Sequence, residues 1–388
     1  MSFTDRDVNL PILRERAYNL RWAEQPADVI PLTAADSDFP VAPAVIEALQ
    51  RYLAPGYLSY VPKLGYPSFR ESISRHLKKK DEDVPPELIL PLDSAARGMY
   101  VIAETLLQPG DEAIVFDPLD YLFGQAVLAA GGTVKRFACD LRHPVDLGEM
   151  ETLITPATKM ICFCNPHNPF GKVYTEAQLK TLLDLAERHD LWIMNDEIWS
   201  DIVYSDAAFL SLHAFGAEKN KRTVSVYGFS KGFGIAGLRA GCVYTQNEAV
   251  FERLMQKSHV LTTAGGIASL SQIAAEACLS EADGWAKAFL AHLEGNRDYA
   301  LARLSAMPKI SCHKPEATFL LFPDIRATGL DSQTFVDRLK AEGKLAVVPG
   351  SVQFFGPGSE GFIRISYATS RGILSEAMDR LDRFLHNL

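Results

Sequence analysis

The chain has no surplus of positive charge, no long apolar run and no patterned cysteine, and each absence removes a class of function. Asp and Glu outnumber Lys and Arg, 48 to 39, for a formal charge of −9. A nucleic-acid partner therefore has no electrostatic support. The lysine triplet Lys78–Lys80 reads as the solvated end of a helix. No apolar run reaches the ~20 residues that a membrane span needs. The opening Met-Ser-Phe-Thr-Asp-Arg-Asp-Val-Asn is polar and mixed in charge, unlike a signal peptide. A cytoplasmic enzyme with no membrane partner is the expectation. Six cysteines (Cys139, Cys162, Cys164, Cys242, Cys278, Cys312) lie mostly among apolar neighbours, and no histidine or cysteine cluster shows zinc spacing. Buried free thiols and no metal site are expected. Repeats and low-complexity segments are absent as well.

What is present is an ordinary globular composition, 47% hydrophobic over 388 residues, enough for a large core and more than one domain. Asp36 to Pro43 is turn-like, and helices are predicted over Val45–Leu53 and Phe69–His76, flanking a Gly- and Pro-bearing, tyrosine-rich loop between Gly56 and Pro67. Strands and helices then alternate. The predicted strands are Glu87–Leu90, Ala113–Phe116, Lys135–Phe137, Met160–Cys164, Trp192–Asn195, Val224–Tyr227 and Leu238–Tyr244. The predicted helices run from Ser94 toward Leu107, over Phe123–Ala130 and over Glu176–His189. Several strands read apolar on both faces, which argues for an α/β fold: a mostly parallel sheet covered by helices.

Beyond Asn247 the pattern turns helical, at Ala249–Lys257, around Leu270–Leu279 and over Trp285–Ser305. Two strand-like runs, Thr318–Phe322 and Phe362–Tyr367, and helices at Ser332–Ala341 and Ile373–Leu388 suggest a smaller α+β domain. The division expected is a large domain over residues 51–285, a small C-terminal domain over 286–388, and an N-terminal segment over 1–50 that joins the small domain and supplies a substrate loop.

Chemistry enters with Gly228-Phe-Ser-Lys-Gly-Phe-Gly-Ile-Ala-Gly-Leu-Arg239. Lys231 comes after a strand in a glycine-flanked turn, at the edge where ligand sites of α/β sheets gather. It reads either as a surface loop lysine or as an amine able to form a Schiff base with an aldehyde cofactor. Asp196 ends an apolar strand; alone it could be a turn residue, or it could pair with a pyridine nitrogen and keep that ring electron-poor. Cys164-Asn-Pro-His-Asn-Pro-Phe-Gly171 lies directly after another strand, and its two Asn-Pro pairs are a turn signal that would orient Asn168 as a donor. Arg239 could neutralise a phosphate. Arg364, in Gly-Phe-Ile-Arg-Ile-Ser-Tyr, could grip a carboxylate with two parallel hydrogen bonds.

These residues, in this order, resemble the fold-type-I pyridoxal phosphate enzymes of the class I/II aminotransferase family, from about Val29 to the C-terminus. The resemblance implies pyridoxal 5'-phosphate linked to Lys231, which also moves the substrate α-proton. It places Asp196 on the pyridine nitrogen and Asn168 on the ring oxygen. Arg239, Ser230 and the Ser94-Ala95-Ala96 turn would hold the phosphate, and Arg364 the substrate carboxylate. Tyr60 would reach a neighbouring subunit's phosphate, so a homodimer with shared sites is implied. The loop Ala34-Ala35-Asp36-Ser37-Asp38-Phe39 would line the substrate pocket, with Ala35 and Asn168 near the substrate.

Three positions depart from the family pattern. Gly228 stands where a serine is common, removing a phosphate ligand. Trp199 replaces a tyrosine whose phenol would reach the cofactor oxygen. Asp120, in Asp117-Pro-Leu-Asp-Tyr-Leu-Phe, stands where an aromatic ring stacks on the pyridine; a one-residue shift would bring Tyr121 there instead. The expected reaction is amino transfer from a neutral L-amino acid to a 2-oxo acid. The Ala-Asp-Ser-Asp-Phe and Cys-Asn-Pro-His-Asn-Pro segments also resemble carbon–sulfur β-lyases, which keeps β-elimination, or a specialised biosynthetic reaction, as the alternative. Tyr57, Tyr66, Phe354 and Phe355 are candidates to line an aromatic pocket or merely to pack, and Arg97 reads as part of a helix face or a salt bridge.

Overall fold

The computed structural model describes residues 3–140 and 142–388. Its main element is a seven-stranded sheet in the order Ile89–Leu92, Gly241–Tyr244, Thr223–Gly228, Trp192–Asp196, Thr158–Cys164, Glu112–Asp117, Thr133–Ala138. Only Gly241–Tyr244 runs against its neighbours; the other pairings are parallel. The central strands are buried almost throughout, as in Thr223–Gly228, and their runs of Val, Ile, Met and Cys suit a sheet covered on both faces. The helices Ala95–Leu106, Tyr121–Ala129 and Glu176–Arg188 connect these strands. Thr175 and Gln178 close a capping box that fixes where the last of these helices begins.

Two smaller sheets stand apart from it. Ile30–Pro31 pairs in parallel with Leu345–Ala346, and Val348–Pro349, Ile363–Ser366 and Leu320–Leu321 form an antiparallel trio. The predicted strand Thr318–Phe322 shortens to Leu320–Leu321. Thr318, at its start, sits at φ 69, outside the strand region. The strand predicted from Leu238 begins only at Gly241. Ala236–Leu238 is a 3₁₀ turn, and Arg239 comes next in the left-handed region. An early helix, Leu10–Arg16, has no counterpart among the predicted elements; it buries no residue fully, so its apolar period is weak. The six cysteines are free, five buried and Cys312 half-buried. No helix among the described residues is long and apolar enough to cross a membrane.

The lysine triplet is solvated only in part. Lys78 and Lys79 are exposed, but Lys80 turns inward to place Nζ 2.7 Å from Asp201, whose other oxygen accepts the Tyr227 hydroxyl. Lys80 and the His76 hydrogen bond hold the Asp201 carboxyl well below its usual range against the penalty of burial.

A polar network anchors the strand that ends in Asp196. Tyr244 Oη lies 2.8 Å from Glu82 Oε2 and 2.8 Å from Glu197 Oε2. Glu197 also accepts from Asn195 Nδ2 and Ser211 Oγ, each at 2.8 Å. A phenol donates one proton, so the second short contact requires a proton from a carboxyl. Glu82 is the protonated partner, because burial and the charge of Glu197 push its carboxyl well above the usual range. Replacing Tyr244 with phenylalanine removes the phenol partner of Glu82 Oε2 and of Glu197 Oε2, while Asn195 and Ser211 still hold Glu197 Oε1. Denaturant unfolding of Y244F is expected to show a loss of about 1–3 kcal/mol, and an unchanged midpoint at unchanged m-value would contradict this.

Candidate active site

Four parallel strands end side by side, and the residues just beyond their C-terminal ends form one wall of a cavity of about 430 Å³. Asp117 leads to Asp120, Cys164 to Asn168, Asp196 to Ile198 and Trp199, and Gly228 to Ser230 and Lys231. Side chains collect there because the C-terminal edge of a parallel sheet leaves its strand ends uncovered by the crossover helices. Arg364 reaches the same cavity from the strand Ile363–Ser366, while Ala34 and Ala35 reach it from the N-terminal loop.

Lys231 lies in a one-turn helix, Ser230–Phe233, rather than an open turn. Its Nζ donates to the Ala35 carbonyl at 2.6 Å and sits 5.4 Å from the centroid of the Trp199 ring. Burial pulls the amine below its usual range, and the negative charge of Asp36 opposes that. Asp196 accepts the Ile198 N–H on Oδ1 at 2.9 Å. Burial pushes its carboxyl up to about 7; the Ile198 bond pulls the other way, and the negative charge of Asp120 adds to the rise.

Arg364, Asn168 and Asp120 form a chain. Arg364 Nη1 donates to Asn168 Oδ1 at 3.4 Å, and Asn168 Nδ2 donates to Asp120 Oδ2 at 2.9 Å. Asp120 Oδ1 caps the Tyr121–Ala129 helix by accepting the Leu122 N–H at 3.1 Å. One amide proton of Asn168 is thus committed and the other is free. Arg364 is buried, with its guanidinium 5.1 Å from the Phe355 ring centroid and its Nε without a protein partner. Its other contact, to the Thr33 carbonyl, is a long 3.4 Å. Burial lowers its pKa to about 10. A buried guanidinium with an unused donor is a binding site for an anion.

The opposite end of the cavity is shaped for a second anion. Ser94 caps the twelve-residue helix Ala95–Leu106 by accepting the Arg97 N–H at 3.1 Å. Helix geometry leaves the first N–H groups, those of Ala95 and Ala96, unpaired. A Cβ on Gly241 would lie 2.5 Å from Ala95 N, so only glycine lets that strand pass the helix start. Ser230 and Arg239 line the same end, and Arg239 forms no ion pair among the described residues. A Cβ on Gly228 would meet Ile198 Cδ1 at 3.1 Å and Ala95 Cβ at 3.3 Å, which leaves a serine side chain little space there.

Of the other expected residues, Tyr121 and Trp199 line the cavity. Tyr121 is exposed at its rim, whereas Asp120 is half-buried and turns inward to Asn168. Tyr60 lies outside this cavity and is 92% exposed. Phe354 and Phe355 line the cavity; Tyr57 is exposed, and Tyr66 instead meets the Tyr52 hydroxyl. Arg97 stays on its helix, without an ion pair among the described residues.

Two features escaped the sequence reading. Asn19 and Leu20 line the cavity with φ of 64 and 66. Leu20 is held in that rare conformation by bonds from its N–H to Glu24 and from Thr33 and Gln25 to its carbonyl. Asparagine tolerates such a backbone but leucine does not advertise it. His167, inside the Asn-Pro pairs, is a brace. Nε2 donates to the Pro118 carbonyl at 2.9 Å, and Nδ1 accepts the Tyr174 hydroxyl at 3.0 Å. Burial lowers its pKa to about 4, so it stays neutral.

The raised Asp196 carboxyl has a consequence for stability. Its pKa in the fold lies above the unfolded value of about 3.9, so the folded chain binds its proton more tightly than the unfolded one. Stability from this group is therefore complete below the unfolded pKa and is lost as pH rises through about 7. The cofactor-free wild type is expected to fall behind D196N in thermal melts as pH rises from acid to neutral. A constant difference across that range would refute the shift.

Comparison with known proteins agrees with this geometry. The sequence pattern of the family "Aminotransferase class I and II" matches residues 27–381. A putative aminotransferase, YugH, of Bacillus subtilis is 34% identical, over 92% of each chain. An aspartate aminotransferase of Pyrococcus horikoshii is 32% identical over 94% of this chain and 92% of its own. The crystal structure of a PLP-bound putative aminotransferase from Clostridium difficile 630 superposes with a TM-score of 0.91 at 26% identity, covering 99% of this chain and 100% of that one. With its sheet, its lysine after the fourth strand end and its match over most of the sequence, the chain belongs to the class I and II aminotransferases.

Proposed function

We propose that this chain is an aminotransferase that uses pyridoxal 5'-phosphate to move the amino group of a neutral L-amino acid to a 2-oxo acid. The observation that carries the reading is the convergence of a desolvated amine, Lys231, a buried acid, Asp196, and an unsatisfied buried guanidinium, Arg364, on one cavity.

The residues present fit the cofactor. The free amides of Ala95 and Ala96, the Ser230 hydroxyl and Arg239 would hold its phosphate; Asp196 would pair with its ring nitrogen, and the uncommitted amide proton of Asn168 would meet its ring oxygen. Trp199 and Tyr121, which line the cavity, would be the aromatic side chains beside its ring. When bound, pyridoxal phosphate supplies an electron-withdrawing ring that lowers the barrier to removing the substrate's α-proton. Arg364 orients the substrate by its carboxylate, with Ala35 and Asn168 beside it. Lys231 Nζ takes the proton from the α-carbon, and burial, which lowers its pKa, favours the neutral amine that this step needs. Asp196 would face the ring nitrogen from a fixed position, where pairing with a protonated nitrogen favours its ionised form.

The choice of a neutral substrate rests on the cations. Lys231, Arg239 and Arg364 are the basic residues lining the cavity among the described residues, and each already has a task. None is left for a second substrate carboxylate, although several relatives are named aspartate aminotransferases. Leu20, Val348, Phe354 and Phe355 offer apolar surface instead. Tyr60, 92% exposed here, supports a homodimer in which it reaches the partner's phosphate. The pairing of Ile30–Pro31 with Leu345–Ala346 supports a small domain of residues 1–50 and 286–388 around a large domain of 51–285.

Purified protein is expected to carry a visible cofactor band that K231A lacks. Mixed with neutral L-amino acids and no acceptor, the band should convert to stable near-ultraviolet absorbance with release of the matching 2-oxo acid. A persistent band with accumulating pyruvate and ammonia from a thioether substrate would instead establish β-elimination. A faster conversion with aspartate than with any neutral amino acid would overturn the substrate assignment. R364A should raise KM for the amino acid at least about 30-fold, the equivalent of ~2 kcal/mol for an unpaired buried carboxylate; an unchanged KM would remove Arg364 from substrate binding.

A further inference from the structure

Asp120 is the one charged group lining the cavity that the reaction above does not use. Its carboxylate is half-buried and held at both oxygens, by the Leu122 N–H at 3.1 Å and by Asn168 Nδ2 at 2.9 Å. Both partners are donors, so the site is built for the ionised form. Loss of solvent raises its pKa above the usual carboxylate range; the Leu122 bond and then the charges of Arg364 and Lys231 oppose that rise. This is a preorganised anion, and its position makes an electrostatic role unavoidable.

The other pairings decide which cation it serves. Besides Asp120, the groups whose charges act on Lys231 are Asp36 on the N-terminal loop, Asp196 at its strand end and Arg364 on the antiparallel strand. Asp36 is already bound to the buried Arg21 guanidinium at 2.6 Å, within a cluster that also holds Asp38 and the Ser37 carbonyl. Asp196 is assigned to the ring nitrogen, and Arg364 to the substrate carboxylate. Arg239 stands with the phosphate-binding residues. Arg21 is shared by Asp36 and Asp38, and Asp36, outside the cavity lining, also acts on Lys231; among the groups lining the cavity, Asp120 is the anion left without a counter-ion, and the nitrogen of Lys231 is the cation left without an anion.

We infer that Asp120 is a positioning residue that holds the nitrogen of Lys231 in its protonated, cofactor-linked form and fixes the Asn168 amide that faces the cofactor. The inference rests on the cofactor assignment above. A carboxylate at this place does what a stacking aromatic ring cannot: it biases the protonation of the linkage by charge. Through Asn168 the same carboxylate joins the start of the Tyr121–Ala129 helix to Arg364, so the charge is held still while substrate enters.

The test is a pH titration of the visible band of the holoenzyme, which reports protonation at the linked nitrogen whether or not the enzyme turns over. D120N and D120S both remove the charge while retaining a side chain that can cap the helix, and D120E retains the charge. The titration midpoint is expected to fall by about one pH unit in D120N and D120S, and to stay near the wild-type value in D120E. A wild-type midpoint in D120N and D120S would overturn the inference. So would an equal fall in all three variants, since that reports a disturbed helix start rather than a lost charge. A midpoint that holds while KM rises only for donors with cationic side chains would overturn it too, by making Asp120 a substrate contact. A wild-type holoenzyme with a band that titrates, lost in K231A, secures the cofactor assignment independently; a wild type without any band would bring down that assignment and this inference together.

Discussion

Everything at this site depends on keeping several charged groups in a cavity that has taken most of their water away. A buried charge survives only if it is paired or hydrogen-bonded, and the cavity meets that condition by linking segments remote in sequence. Lys231 is held by the Ala35 carbonyl, Asp196 by the Ile198 N–H, and Asp120 by Leu122 and Asn168. The exception is Arg364, whose Nε has no partner and whose remaining contacts are long. The site thus holds its anions and leaves one guanidinium with an unused donor.

The scaffold supports that arrangement from behind. The strand that ends in Asp196 is tied by Glu197 to Tyr244 and thence to Glu82, so its end cannot drift without breaking buried hydrogen bonds. The loop bearing Asn168 is tied by His167 to the Pro118 carbonyl, at the root of the loop that bears Asp120. The neighbouring strand ends are thus cross-braced independently of any ligand. Preorganisation of this kind lets fixed charges act on a reaction without having to reorganise during it.

Close to the cavity mouth, the backbone itself is constrained. Asn19 and Leu20 hold a rare left-handed conformation, and the Arg21 next to them is buried against Asp36 and Asp38. That cluster fixes the loop carrying Ala34 and Ala35, and hence the carbonyl that receives Lys231. The N-terminal segment is in this way part of the site, although it lies nearly two hundred residues from the lysine along the chain.

The sequence by itself determined the alternation of strands and helices, because apolar runs of this length and period have few other ways to be buried. It also determined which residues stand at strand ends, since Lys231, Asp196 and Asn168 each lie at or just past the end of such a run. Local chemistry was legible where it was local: the Ser94 cap, the Asn-Pro turns and the glycine-flanked lysine. The tertiary structure alone decided what depends on contacts between distant segments. The reversed direction of Gly241–Tyr244, the left-handed pair at Asn19 and Leu20, the inward turn of Lys80 and the choice of Asp120 over Tyr121 for the cavity interior are all of this kind. None of these has a local period or motif to announce it. Each is set by which charge or carbonyl another part of the chain brings within hydrogen-bonding distance, and that is known only once the chain has folded.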